Sequence, residues 1–208
     1  MATKTGSTRE GSAIFSLDDQ LAFYGSYNVN DINRAIHFAC IWPVLWTTLA
    51  LMTQIPIGKL PHQVLEWLPL KEEAWDLHIG APLVLVYVIV YCVMDPFFGG
   101  LASLLIFASY ATANLWMAGG GSVVLAGGVN VAGWLLMFYG NLVHEGRQPA
   151  MVANPLRALL AAPLFPVSMV MFGLGFKPAL CRQLQARAAL NSGGFQVADT
   201  VTKTVKMT

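Results

Sequence analysis

From Pro96 to His144 the chain runs for 49 residues without an Asp, Glu, Lys or Arg. A soluble helix needs a polar face toward water, and this stretch has no charge to build one. A membrane span needs roughly 20 predominantly apolar residues at 1.5 Å per residue, so the stretch is long enough for two spans. The hinge between them is expected at Gly119-Gly120-Gly121-Ser122, where three glycines break helix propensity. Residues 35–58, 77–94 and 158–176 are also free of Asp, Glu, Lys and Arg. Five hydrophobic segments result, at about 35–56, 77–94, 97–117, 122–143 and 158–176.

Composition points the same way. Only 11% of the 208 residues are charged, against about 25% in an ordinary soluble domain. The net charge of +1 excludes a nucleic-acid partner, because nothing here neutralises many phosphates. The expected fold is all-α: a polytopic membrane helix bundle with four spans. The fifth segment, 158–176, carries Pro163 and Pro166 and is expected to be re-entrant or spanning. The expected domain plan is a polar tail over 1–20, one membrane-embedded domain over 21–178, and a basic flexible tail over 179–208. Residues 1–20 hold no apolar run, so the first span is expected to act as an uncleaved signal-anchor. Cys40, Cys92 and Cys181 follow no pairing pattern and are expected to be free thiols.

Orientation follows from the basic residues. Lys4, Arg9, Arg34, Arg147 and Arg157 fall on the N-terminal side, against Lys59 and Lys71 in the first loop. The positive-inside rule then puts the N-terminus in the cytosol. The basic tail (Lys177, Arg182, Arg187, Lys203, Lys206) obeys the same rule only if segment 158–176 does not cross fully.

Ionisable and amide side chains at the edges of spans are the informative ones. One cluster, Tyr24-Gly25-Ser26-Tyr27-Asn28-Val29-Asn30-Asp31-Ile32-Asn33-Arg34-Ala35-Ile36-His37, leads into the first span. Asn30, Asn33 and His37 share a helix face, and Asn30 or Asp31 suits an N-cap. Spacing leaves two readings open: a functional site, or a polar cap with one buried histidine bonded to a backbone carbonyl. A second cluster, Asn141-Leu142-Val143-His144-Glu145-Gly146-Arg147-Gln148-Pro149, closes the fourth span. It reads either as a divalent-metal ligand set or as an interfacial ion pair between Glu145 and Arg147. Four crossings separate the clusters, so both return to one membrane face. Asp95, between the second and third spans, would share that face as a supporting group, while His78 would lie on the opposite one.

These residues resemble a family of small endoplasmic-reticulum membrane proteins, the 2-hydroxy fatty acid dioxygenases. The opening pattern of that family, Y-H-x-N-x-x-N-x-x-I-H, is met at Tyr27, Asn30, Asn33, Ile36 and His37. A second block is met at Phe138, Gly140, Glu145, Pro149, Ala150 and Asn154, and the likeness extends from about residue 16 to 176. The resemblance implies an integral membrane protein of the endoplasmic reticulum with membrane lipids as partners. It further implies α-oxidation of a 2-hydroxy long-chain fatty acid from sphingoid-base breakdown, with Fe(II) as cofactor. Two motif histidines are replaced, by Asn28 and Asn141, and the phenylalanine of the second block is His144. A carboxamide oxygen is a much poorer iron ligand than imidazole. The rearranged metal set is then His37, His144 and Glu145, with His37 and Glu145 as the catalytic pair. Tyr27, Asn28, Asn30, Asn33, Asp95, Asn141, Arg147, Pro149 and Asn154 are motif or neighbouring positions whose roles stay open. Two functions stay open with them: an active dioxygenase, or a non-catalytic lipid-binding or structural relative that lost the metal site. A transporter is disfavoured, since the chain shows neither an inverted repeat nor paired broken helices.

Overall fold

A computed structural model describes residues 15–188 and 190. It is helical almost throughout, and four helices are long and apolar enough to cross a membrane: Asp31–Met52, Phe98–Ala118, Val123–Glu145 and Pro155–Gly173. The chain is an integral membrane protein of the all-α class. Its described cysteines, Cys40, Cys92 and Cys181, are free thiols. The chain divides into two compact units, one of residues 1–38 with 138–208 and one of residues 39–137. The divisions fall inside α2 (Asp31–Met52) and α6 (Val123–Tyr139).

In the first unit, Ser16 opens α1 (Leu17–Ser26) by accepting the Asp19 N–H on its hydroxyl. Leu17 and Gln20, within the expected tail, are buried. Asn30 opens α2, its Oδ1 accepting from the backbone of Ile32 at 2.9 Å and Asn33 at 3.3 Å. After α6 come α7 (Ala150–Ala153), α8 (Pro155–Ala161) and α9 (Leu164–Gly173), and residues 178–188 are helical again. Pro163 stands at the N-cap of α9, where a missing N–H costs nothing. Segment 158–176 is therefore two short helices broken at 162–163. Leu21, Tyr24, Ala158, Ala161, Leu164 and Phe165 are buried, and the Tyr24 and Phe165 rings pack 5.2 Å apart. Residues 191–208, most of the expected C-terminal tail, lie outside the described residues.

The second unit holds the hairpin of α4 (Gly80–Met94) and α5 (Phe98–Ala118). Gly99 lies so close to the Tyr91 carbonyl that no Cβ fits between them. Asp95 caps α5, its Oδ1 accepting from Phe97 N at 2.9 Å and Phe98 N at 2.8 Å. The turn to α6 falls at the predicted glycines, where Gly120 takes a φ of 90° that favours glycine. The short segment is not the one the sequence suggests. Residues 77–94 supply only the 15-residue α4, about 22 Å long against a hydrocarbon core of about 30 Å. The reason is local. Strand β2 (Leu77–His78) pairs antiparallel with β1 (Pro56–Gly58), and Ile79 N–H donates to the Ile55 carbonyl, so the helix cannot start before Gly80. His78 is buried beside this ladder, its Nε2 2.7 Å from Asn114 Oδ1.

Candidate functional site

The two polar clusters meet inside the first unit. The C-terminal end of α6 widens into a π-turn over Gly140–Glu145, closed by Gly146 at a left-handed φ of 67°. Such turns are rare and recur at functional sites. This one carries Asn141 and Glu145 to the entrance of α2.

Glu145 is the acceptor at the centre, with its side chain only 5% exposed. Its Oε1 accepts from Asn30 N at 2.7 Å and from Asn33 Nδ2 at 3.2 Å, and its Oε2 from Arg147 Nη2 at 3.1 Å. Arg147 also donates to the Ser26 carbonyl at the end of α1 and lies over the Tyr27 ring. The ion pair expected at the interface is thus present, and it is buried. Burial pushes the Tyr27 phenol above its ordinary pKa, while the Arg147 and Arg157 charges pull it back.

Asn33 is the donor hub and is fully buried. Its Nδ2 lies 3.0 Å from Asn28 Oδ1 and 3.2 Å from the Tyr27 carbonyl, besides its bond to Glu145. Asn28 in turn donates to the Tyr24 carbonyl at 2.9 Å, closing the end of α1. The Asn33 Oδ1 lies against the α-carbon of Gly140, where any side chain would collide with it.

His37, one turn further along α2, is buried. Its Nδ1 lies 3.0 Å from the Asn33 carbonyl. A carbonyl only accepts, so Nδ1 carries the proton and Nε2 keeps the lone pair. That lone pair receives the Asn141 Nδ2 amide at 3.2 Å. The histidine is therefore engaged at both ring nitrogens, once by backbone as the plainer reading anticipated.

The remaining expected site residues lie elsewhere. His144 packs edge-on against Tyr139, five residues earlier, at 5.5 Å. An α-helix would have turned it about 60° from Asn141; the π-turn directs it to Tyr139 instead. Pro149 precedes α7 at its N-cap, and Asn154 caps α8 by accepting the Arg157 N–H at 3.1 Å. Gly140 and the Ser26 carbonyl are parts of the site that spacing alone did not single out. For Gly140 the available signal was its place in the second block.

A non-haem iron oxygenase site offers two imidazoles and one carboxylate around open coordination positions. Here one imidazole has its lone pair engaged by an amide, and the carboxylate accepts three hydrogen bonds. Among the described residues, no three His, Cys, Asp or Glu side chains converge as a metal group. The residues present do not fit Fe(II) in this arrangement.

Comparison with known proteins decides the lineage. The sequence profile described as "2-hydroxy-palmitic acid dioxygenase Mpo1-like" matches residues 14–174. The chain belongs to this family. It is 27% identical over 176 residues to the 2-hydroxy-palmitic acid dioxygenase MPO1 of Saccharomyces cerevisiae, covering 84% of this chain and 91% of the yeast protein. No solved structure matches. Asn28 and Asn141, where the resemblance leads one to expect histidines, are members of the hydrogen-bonded amide network at the centre of the first unit.

Proposed function

We propose that this chain is a lipid-binding member of the Mpo1-like family that holds long-chain 2-hydroxy fatty acids without oxidising them at this site. The observation that carries the reading is the Asn141 amide seated on the His37 Nε2 lone pair, the position from which an imidazole would bind a metal. An asparagine at 141 supplies a donor to His37 where a second imidazole would leave both lone pairs for iron. Glu145 supports the same reading, since its three hydrogen bonds take up most of its acceptor positions and stabilise the α1–α2 corner. The network holds the ends of α1, α2 and α6 in one geometry, and the lipid is bound by that scaffold.

The family relationship and the four apolar helices support a location in the endoplasmic-reticulum membrane and a ligand drawn from sphingoid-base breakdown. Five basic residues against two in the first loop support a cytosolic N-terminus. A glycosylation tag at the C-terminus stays unmodified if the tail shares that side.

The test uses detergent-purified protein loaded anaerobically with Fe(II), then exposed to oxygen and 2-hydroxypalmitate. The expected result is a bound acid recovered unchanged. Oxygen-dependent consumption of the acid that disappears in His37→Ala would instead establish the dioxygenase reading, with Asn141 displaced from His37 on metal binding.

A further inference from the structure

The first unit contains a cleft of about 500 Å³ that the polar network does not fill. Leu21 of α1, Phe165, Met169 and Phe172 of α9, and Leu184 of the 178–188 helix form its apolar wall. Asn28 and Arg34 stand on its lining as the polar groups nearest the network. We infer that this cleft is the binding site for a long-chain carboxylic acid, with the alkyl chain against α9 and the carboxylate on Arg34. The inference rests on the lipid-binding reading above and gives it a location.

Three features carry it. The wall is hydrocarbon and aromatic, so its preferred occupant is an alkyl chain rather than a polar metabolite. The occupant also needs an acidic end. A guanidinium offers five N–H donors in a fork that matches a carboxylate, and among the described residues Asp31 alone engages the Arg34 side chain, at one terminal nitrogen. Asp31 itself is 85% exposed, so water screens its competing charge. Finally, Asn28 joins cleft to network: it lines the cleft, accepts from Asn33 at 3.0 Å, and donates one amide hydrogen to Tyr24. Among the described residues its second amide hydrogen has no acceptor, and the acid would supply one. The α9 wall is half of a helical stretch long and apolar enough to cross a membrane, which gives the acid a route in from the bilayer.

The test uses the full chain in phosphatidylcholine nanodiscs. A palmitic acid bearing a photoactivatable diazirine on its alkyl chain is crosslinked and the labelled peptides are mapped. Label is expected on α9 and on residues 178–188. Binding of palmitate and of hexadecanol is then measured. Arg34→Gln should weaken palmitate about tenfold, the scale of one lost charge-assisted contact, and leave hexadecanol unchanged. Met169→Trp, which fills the cleft, should weaken both. Label on other segments, or equal losses of acid and alcohol in Arg34→Gln, overturns the cleft assignment. If the wild type retains palmitate with its label elsewhere, the assignment fails alone. If the wild type retains no acid in any form, the lipid-binding reading fails with it.

Discussion

Each unit of this protein buries one histidine against one asparagine, and the two pairs are wired with opposite polarity. In the second unit, His78 accepts the Gly80 N–H on Nδ1 at 3.1 Å and donates from Nε2 to Asn114 Oδ1 at 2.7 Å. Asn114 then donates to the Ala74 and Asp76 carbonyls, and Tyr110 stacks on the imidazole. Nδ1 serves the backbone directly and Nε2 through Asn114, so the pair is a clasp on the connection before α4. In the first unit, His37 donates from Nδ1 and accepts on Nε2, from an asparagine 104 positions away in sequence. That pair adjoins a buried ion pair and the fully buried Asn33. A neutral clasp stabilises a loop at low cost. A network that buries charge needs every partner in place.

The largest expected difference between the two regions comes from charge. Glu145→Ala leaves Arg147 without its carboxylate in a buried setting and should cost about 3–5 kcal/mol, read as lost folded yield or a lowered unfolding midpoint. The exposed Lys59–Asp76 pair beside the His78 clasp is a control, and Asp76→Ala should cost no more than about 1 kcal/mol. Equal effects at the two positions would erase the distinction.

Glycine contacts give the next largest effect. Gly140→Ala forces a methyl group onto Asn33 Oδ1 and should cost about 1–3 kcal/mol. The cost should shrink when Asn33→Ala is combined with it, because the two positions share one contact. Additive losses in the double variant would show that Asn33 is not what Gly140 accommodates.

The pH response of the clasp should be smaller. Burial lowers the His78 pKa, opposed in part by the Asn114 hydrogen bond and the Asp76 charge. The unfolded chain then binds a proton more readily than the folded one once pH falls to the ordinary histidine value of about 6.5. Stability of the second unit should therefore decline as pH drops through and below that value, and be insensitive to His78 above it. Thermal unfolding between neutral and mildly acidic pH checks this, and His78→Gln should flatten the slope.

Much of this comparison is legible in the sequence, and the remainder has identifiable causes. The uncharged run from Pro96 to His144 and its three glycines locate α5, α6 and their turn, because charge spacing and glycine act locally. The Asn30–His37 and Asn141–Arg147 clusters were legible as polar runs at the ends of apolar segments, and the structure joins them in the first unit. The π-turn at Gly140–Glu145 carries no periodic signature, so α-helical spacing misdirected His144, which packs on Tyr139. The shortness of α4 was hidden too: Leu77 is apolar and His78 does not interrupt a run counted by Asp, Glu, Lys and Arg, and only the pairing with Pro56 and Gly58 removes them from the helix. The direction of the His37 hydrogen bonds depends on which face of Asn141 the fold presents, and residue identity does not encode that.

The central claim is that Asn28 and Asn141 convert the family centre from metal coordination to hydrogen bonding. Iron content by elemental analysis, on protein purified anaerobically with Fe(II) present, tests it most directly. Wild type should retain no iron above a His37→Ala control, whereas Asn28→His combined with Asn141→His should retain it, because imidazole replaces a weak carboxamide donor at both positions. A full equivalent of iron on the wild type, lost in His37→Ala, would contradict the account.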